Sequence, residues 1–135
     1  MKFRKIIETS IYSTDLIKMK EFYVDKLGLE FVSEQMGRHV FLKTDTNMLL
    51  IFNPEVTKIE EETNHGATTP PSMVHIALEI EAEEYEKVRD LLIKSNIRVE
   101  KEIAWENESK SKSIYFRDPA GNLVEFITRN HWPVL

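Results

Sequence analysis

The sequence predicts an α+β fold made of two β-α-β-β-β modules in one chain, and three observations carry that prediction. Strand-like alternation and helix-like periodicity follow one another in the same order twice. A polar stretch bounded by prolines, Pro54 to Pro71, separates the two runs. Segments of the first half also superimpose on the second: Thr46-Asn47-Met48-Leu49-Leu50-Ile51-Phe52 lies over Gly121-Asn122-Leu123-Val124-Glu125-Phe126-Ile127, with apolar positions coinciding almost throughout. Likewise Glu8 to Leu16 lies over His75 to Glu83, strand over strand and helix start over helix start.

Each element follows from local pattern. Lys5 to Tyr12 is rich in β-branched residues and alternates, with Ile7, Thr9 and Ile11 on one face and Glu8, Ser10 and Tyr12 on the other, as a strand requires. Asp15 can cap a helix in which Leu16, Met19, Phe22, Tyr23 and Leu27 recur at three- and four-residue steps until Gly28 ends it. Strands are expected at Leu29 to Glu34, at His39 to Lys43 after a turn around Gly37, and at Asn47 to Phe52. The acidic Pro54 to Pro71 stretch reads as an exposed connection. Met73 to Ile80 then restarts the pattern as a strand, and a helix from about Ala82 to Ser95 carries Tyr85, Val88, Leu91 and Leu92 inward. Ile97 to Ile103, Lys112 to Arg117 and Leu123 to Ile127 complete the second module, with Asp118-Pro119-Ala120-Gly121-Asn122 as the turn before the last strand. The chain is thus expected to be a single domain, with module one at 5–53, a linker at 54–71 and module two at 72–130.

Composition narrows the chemistry. A chain of 135 residues with 41% hydrophobic and 30% charged residues can bury one core, but it is too short for two independent domains. It has no cysteine, so disulfides, thiolate metal sites and cysteine nucleophiles are excluded. A net charge of −5 argues against binding nucleic acid through its phosphates. The amino-terminal residues contain no signal-like apolar core, and nowhere is there an apolar run of about 18 residues that would cross a bilayer. The expectation is a cytoplasmic protein whose partner is a small molecule.

Paired modules of this kind, Phe22-Tyr23 before Leu27-Gly28-Leu29, and above all Tyr115-Phe116-Arg117-Asp118-Pro119-Ala120-Gly121-Asn122-Leu123-Val124-Glu125 resemble the vicinal oxygen chelate superfamily, which includes glyoxalases, bleomycin resistance proteins and extradiol dioxygenases. The resemblance spans nearly the whole chain. It implies curled mixed sheets around a cup-shaped cleft, the first and fourth strands of each module offering one metal-ligand position. Those positions fall here on Glu8, Leu50, His75 and Glu125. Three of the four can bind metal, and one imidazole with two carboxylates suits a divalent ion such as Mn²⁺, Fe²⁺, Ni²⁺, Zn²⁺ or Mg²⁺. Leu50 departs from the full four-ligand pattern.

The resemblance implies that Glu125 is both ligand and proton-transfer group, and that His39, Leu50, Trp105, Ser113 and Tyr115 border the substrate. His65 is a further candidate for that border, whereas His131 and Trp132 read as an edge cover or subunit contact. The first functional expectation is therefore a metal-dependent enzyme of lyase, isomerase or thiol-transferase type. Extradiol cleavage and fosfomycin-type transfer each call for two histidines and one carboxylate, and only one histidine occupies the matched positions. The alternative is a metal-free binding protein of the bleomycin-resistance kind, which an acidic chain suits. Exposed sheet edges imply a homodimer, with modules paired either within a chain or swapped between chains.

Overall fold

The computed structural model describes residues 2, 5–6, 8–58, 74–106 and 108–131. It divides into two compact units, Met1–Ser72 and Met73–Leu135. Ile7, His65, Trp132 and residues 59–71 of the connection lie outside the described residues.

In the first unit β1 (Glu8–Tyr12) is followed by the helical segment α1 (Leu16–Lys20), then by β2 (Glu30–Gln35), β3 (His39–Lys43) and β4 (Met48–Phe52). The sheet order is β1-β4-β3-β2, parallel between β1 and β4 and antiparallel elsewhere. Ile11, Val40, Leu42, Leu49 and Ile51 share one face and are buried, as are Leu16 and Met19 of α1 and Tyr23 just beyond it. The opposite face presents Glu8, Ser10 and Tyr12 beside Met48, Leu50 and Phe52, which in turn pair with Lys43, Phe41 and His39.

The second unit repeats the plan with β5 (His75–Ile80), a 3₁₀ turn at Ala82–Glu84, the helix α3 (Tyr85–Lys94), β6 (Val99–Ala104), β7 (Lys112–Arg117) and β8 (Leu123–Thr128). Its order is β5-β8-β7-β6. The register repeats as well: Glu8 faces Met48 in the first sheet, and His75, its counterpart, faces Leu123 in the second. A register shift also recurs, between Phe31 and Ser33 in the first sheet and between Val99 and Lys101 in the second. The predicted α+β class and pair of curled mixed sheets are those observed.

The structure corrects several local readings. The first helix is not uniformly α: after Lys20 it widens into a π-helix, Glu21–Lys26, so that Leu27 N–H donates five residues back to the Phe22 carbonyl at 3.0 Å. The wider turn accommodates two adjacent inward rings, Phe22 and Tyr23, packed edge to face with centroids 5.0 Å apart. The connection opens with a helical turn, α2 (Pro54–Thr57), because the Asn53 side chain accepts from Glu55 N–H and Pro54 sits at the first turn. β1 starts at Glu8 and β6 at Val99, later than the alternation predicts. At β6 the reason is Asn96, whose φ of 57° closes α3 and commits the Ile97 N–H to the Leu92 carbonyl.

Candidate functional site

Period-two alternation in β5 and β8 sends Ile76 and Val124 to the helix-covered face of the second sheet, and His75 and Glu125 to the other. Parallel pairing of the two strands then determines their meeting. Leu123 stands opposite His75 and Ala77 opposite Glu125, and the small alanine leaves the carboxylate room on its flank. The result is a His75 Nε2 to Glu125 Oε2 distance of 3.1 Å.

The imidazole's other nitrogen settles its chemistry. His75 Nδ1 lies 3.1 Å from the Leu123 carbonyl oxygen, which can only accept, so Nδ1 carries a proton. In the neutral ring Nε2 therefore aims a lone pair at the carboxylate, an arrangement that requires a positive charge between them, either a proton or a bound cation. Backbone anchoring of the second nitrogen is the usual way a metal-binding histidine is oriented. The spacing also suits an ion, since two ligands at right angles, each about 2.1 Å from it, stand about 3.0 Å apart. Burial separates the two roles: the Glu125 side chain is 7% exposed and that of His75 48%. A carboxylate so enclosed needs charge or hydrogen-bond compensation.

A polar neighbour comes from β7. Tyr115 stands opposite Glu125 on the same face of the sheet. Burial, then the neighbouring Glu125 carboxylate, raise the Tyr115 pKa above the ordinary phenol value. Ser113, two residues back on the same face, is fully buried. Trp105, just beyond β6, donates its indole N–H to Ser113 Oγ at 2.8 Å. The indole also lies 5.0 Å from the His131 ring, which Ser111 Oγ meets at Nδ1, 2.6 Å away.

Five of the residues singled out in the sequence, His75, Trp105, Ser113, Tyr115 and Glu125, thus share one side of the second sheet. The remaining three, Glu8, His39 and Leu50, belong to the first unit. Glu8 is exposed at the start of β1, whereas Leu50 is buried between Ser10 and Phe41 on the neighbouring strands. The His39 ring stacks on Phe41 with centroids 4.1 Å apart and accepts a hydrogen bond from Arg38. Among the described residues no group of three or more His, Asp or Glu side chains is gathered as a metal-binding cluster. A groove of about 600 Å³ opens in the first unit beside Asp15, Glu21, Glu34, Met36 and His39, and neither His75 nor Glu125 lines it.

Sequence reasoning read Asp118 to Asn122 as a turn and as part of the family resemblance, and the structure shows that it also holds the strand that carries His75. Asn122 Oδ1 accepts the Val74 N–H at 3.1 Å, holding the entry of β5 against the start of β8 next to His75 and Leu123. The Asp-Pro-x-Gly-Asn spacing was the available signal.

The family model described as "Glyoxalase/Bleomycin resistance protein/Dioxygenase superfamily" matches residues 5–126, nearly the whole chain. The chain belongs to that superfamily. Among solved structures of the superfamily's fold, a lactoylglutathione lyase from Agrobacterium tumefaciens is 32% identical, with a TM-score of 0.81 over 95% of this chain and 96% of that one. A glyoxalase/bleomycin resistance protein/dioxygenase from Nocardioides is 21% identical, with a TM-score of 0.74 over 95% of this chain and 85% of that one. A glyoxalase/dioxygenase from Nostoc punctiforme is 18% identical, with a TM-score of 0.69 over 93% of this chain and 90% of that one. No curated protein matches. Among the described residues no helix is long and apolar enough to cross a membrane.

Proposed function

We propose that the chain is a divalent-metal-dependent enzyme acting on a small oxygenated molecule, of the lyase or isomerase kind. In this reading His75 and Glu125 are two of the metal ligands, Glu8 is the third, and Glu125 also moves a proton. The observation that carries it is the His75–Glu125 pair: a backbone-anchored imidazole aims Nε2 at a buried carboxylate 3.1 Å away. When bound, the ion would polarise adjacent substrate oxygens and stabilise negative charge developing on them.

The chain's own residues supply the rest. Leu123 holds the His75 ring in one tautomer, so Nε2 is kept for the site. Enclosure of Glu125 keeps its carboxylate away from bulk water, where a proton taken from substrate would exchange at once. His39, Trp105 and Tyr115, each half-buried, are the proposed substrate contacts, while Leu50 and Ser113 act as buried supports because they present almost no surface. Similarity to a lactoylglutathione lyase at 32% identity favours the lyase end of the range and a substrate with neighbouring oxygens. A homodimer is proposed with it, since among the described residues the two outermost strands of each sheet pair along one edge of that sheet.

Elemental analysis of protein purified without chelator tests the reading. About one divalent ion per chain is expected in the wild type, with loss in His75→Ala and in Glu125→Gln. Retention in both variants would remove the site. A second reading is a metal-free binder of organic cations, favoured by the acidic groove of the first unit. A wild-type chain that takes up no ion from excess Mn²⁺, Ni²⁺ or Zn²⁺ selects that reading.

A further inference from the structure

Four rings gather on one face of the first sheet, the face opposite Ile11, Val40, Leu42 and Ile51. Tyr12 of β1 stacks on Phe52 of β4 with centroids 6.5 Å apart, and Phe52 meets Phe41 and His39 of β3 edge to face at 5.5 and 6.0 Å. His39 and Phe41 lie nearly parallel, 4.1 Å apart. Phe52 is fully buried in this layer, whereas Tyr12, Phe41 and His39 each keep part of their surface.

One end of the layer carries positive charge. The Arg38 guanidinium carbon lies 5.8 Å from the Phe52 ring centre, and Nη1 donates to His39 Nδ1. Arg38 precedes β3, yet both contacts draw its head group onto the ring-bearing face. A guanidinium can only donate, so Nδ1 accepts and the single proton of the neutral imidazole sits on Nε2. The bond to His39 uses one of the five N–H donors that a guanidinium has. Arg38 and His39 Nε2–H thus present a charge and a second donor side by side.

The register keeps acids away from that end. Tyr12, Phe52, His39 and Gln35 stand across from one another in the first row, and Ser10, Leu50, Phe41 and Ser33 in the second. Glu8 and Glu30 enter only in the third row, with Met48 and Lys43, about 13 Å along the strands from His39. Glu34, which lines the acidic groove, stands opposite Val40 and so belongs to the other face.

Ring faces favour flat apolar groups, and a guanidinium beside a second N–H donor matches the two oxygens of a carboxylate. We propose that this face binds an arylcarboxylate, its ring laid against the exposed parts of Tyr12 and Phe41 and its carboxylate taken by Arg38 and His39 Nε2–H. An organic cation would meet like charge here, and an aliphatic acid would forgo the ring contacts. The inference names a substrate class for the reading given above and rests on it for the role of His39 as a substrate contact, but binding of the acid calls for no metal ion.

Calorimetric titration of the full-length chain in EDTA tests it. The probes are phenylacetate, phenylacetamide, which has the shape without the charge, and cyclohexylacetate, which has the charge without the flat ring. Phenylacetate should bind about tenfold more tightly than its amide, as loss of a charge-assisted hydrogen bond implies. Arg38→Gln should erase that preference and Arg38→Lys should retain part of it, with circular dichroism melting to establish that each variant is folded. Phe41→Leu should weaken phenylacetate about threefold and leave the preference over the amide intact. Equal binding of acid and amide, or an undiminished preference in folded Arg38→Gln, overturns the carboxylate site. Cyclohexylacetate binding as tightly as phenylacetate overturns the role of the rings, and no binding of phenylacetate overturns the proposal entirely. Phenylacetate bound by a chain that takes up no divalent ion removes the metal reading alone and leaves this site standing.

Discussion

Asp118 spends its carboxylate on the turn it begins. Oδ1 accepts the Ala120 and Asn122 backbone N–H groups, each at 2.9 Å, and Oδ2 accepts the Asn122 side-chain amide at 2.7 Å. Gly121, at φ 87°, supplies the left-handed residue that closes the turn. Because Asn122 in turn holds Val74, the turn supports both strands that carry the His75–Glu125 pair. Asp118→Ala would leave buried donors without an acceptor and should cost about 2 to 4 kcal/mol. The expected result is a lower urea midpoint with an unchanged slope; a midpoint within error of wild type would contradict it. The identity of this turn was legible in the sequence, since Asp, Pro, Gly and Asn each have a conformational reason to be there. Its hold on Val74 was not, because that contact joins residues remote in the chain.

At the scale of elements, α3 is tied to β6 by one carboxylate. Tyr85 donates its hydroxyl to Glu102 Oε1 at 2.9 Å, and Arg89 Nε donates to the same oxygen at 3.0 Å. Burial first, then the hydrogen bond to Glu102, push the Tyr85 pKa far above its ordinary value of 10.0. A pKa raised in the folded state means that the contribution is complete below pH 10 and is lost as pH climbs through the alkaline range toward the folded value. Stability should therefore fall above pH 10, and Tyr85→Phe should flatten that limb while costing about 1 kcal/mol at neutral pH. Denaturant midpoints measured from pH 7 to 11 check both parts, and an alkaline limb equally steep in the variant would refute the assignment.

Helical periodicity was legible in both modules, yet its form was not. Leu16, Met19, Phe22 and Tyr23 turn inward as predicted, but their spacing is compatible with α and π geometry alike over so short a segment. Packing of two adjacent rings decided between them. Similarly, the alternation from Ile97 onward suggested an earlier β6, because a buried apolar residue that closes a helix looks locally like the first residue of a strand.

Within each unit and among the described residues, the outer strands, β1 and β2 in the first and β5 and β6 in the second, pair along one edge of their own sheet. All six residues of β2 are exposed, as are Ile17 and Met36 nearby in the same unit. Open edges and apolar side chains in water favour association. Light scattering is expected to give twice the 15.9 kDa chain mass, and a monomer at micromolar concentration would defeat the dimer proposal.

The sequence by itself determined the duplicated plan and the faces of its strands. Side-chain direction in a strand has a period of two, so placing Ile76 and Val124 inward already sent His75 and Glu125 to the other face. Only the tertiary structure decided that those two side chains meet, because their 3.1 Å approach depends on the parallel register of β5 on β8, which no local pattern encodes. The hydrogen bond from Trp105 to Ser113 was decided in the same way. Its residue types were visible in the chain, but hydrogen bonds form only within a few tenths of an ångström of the right distance, and that precision comes from the packed sheet.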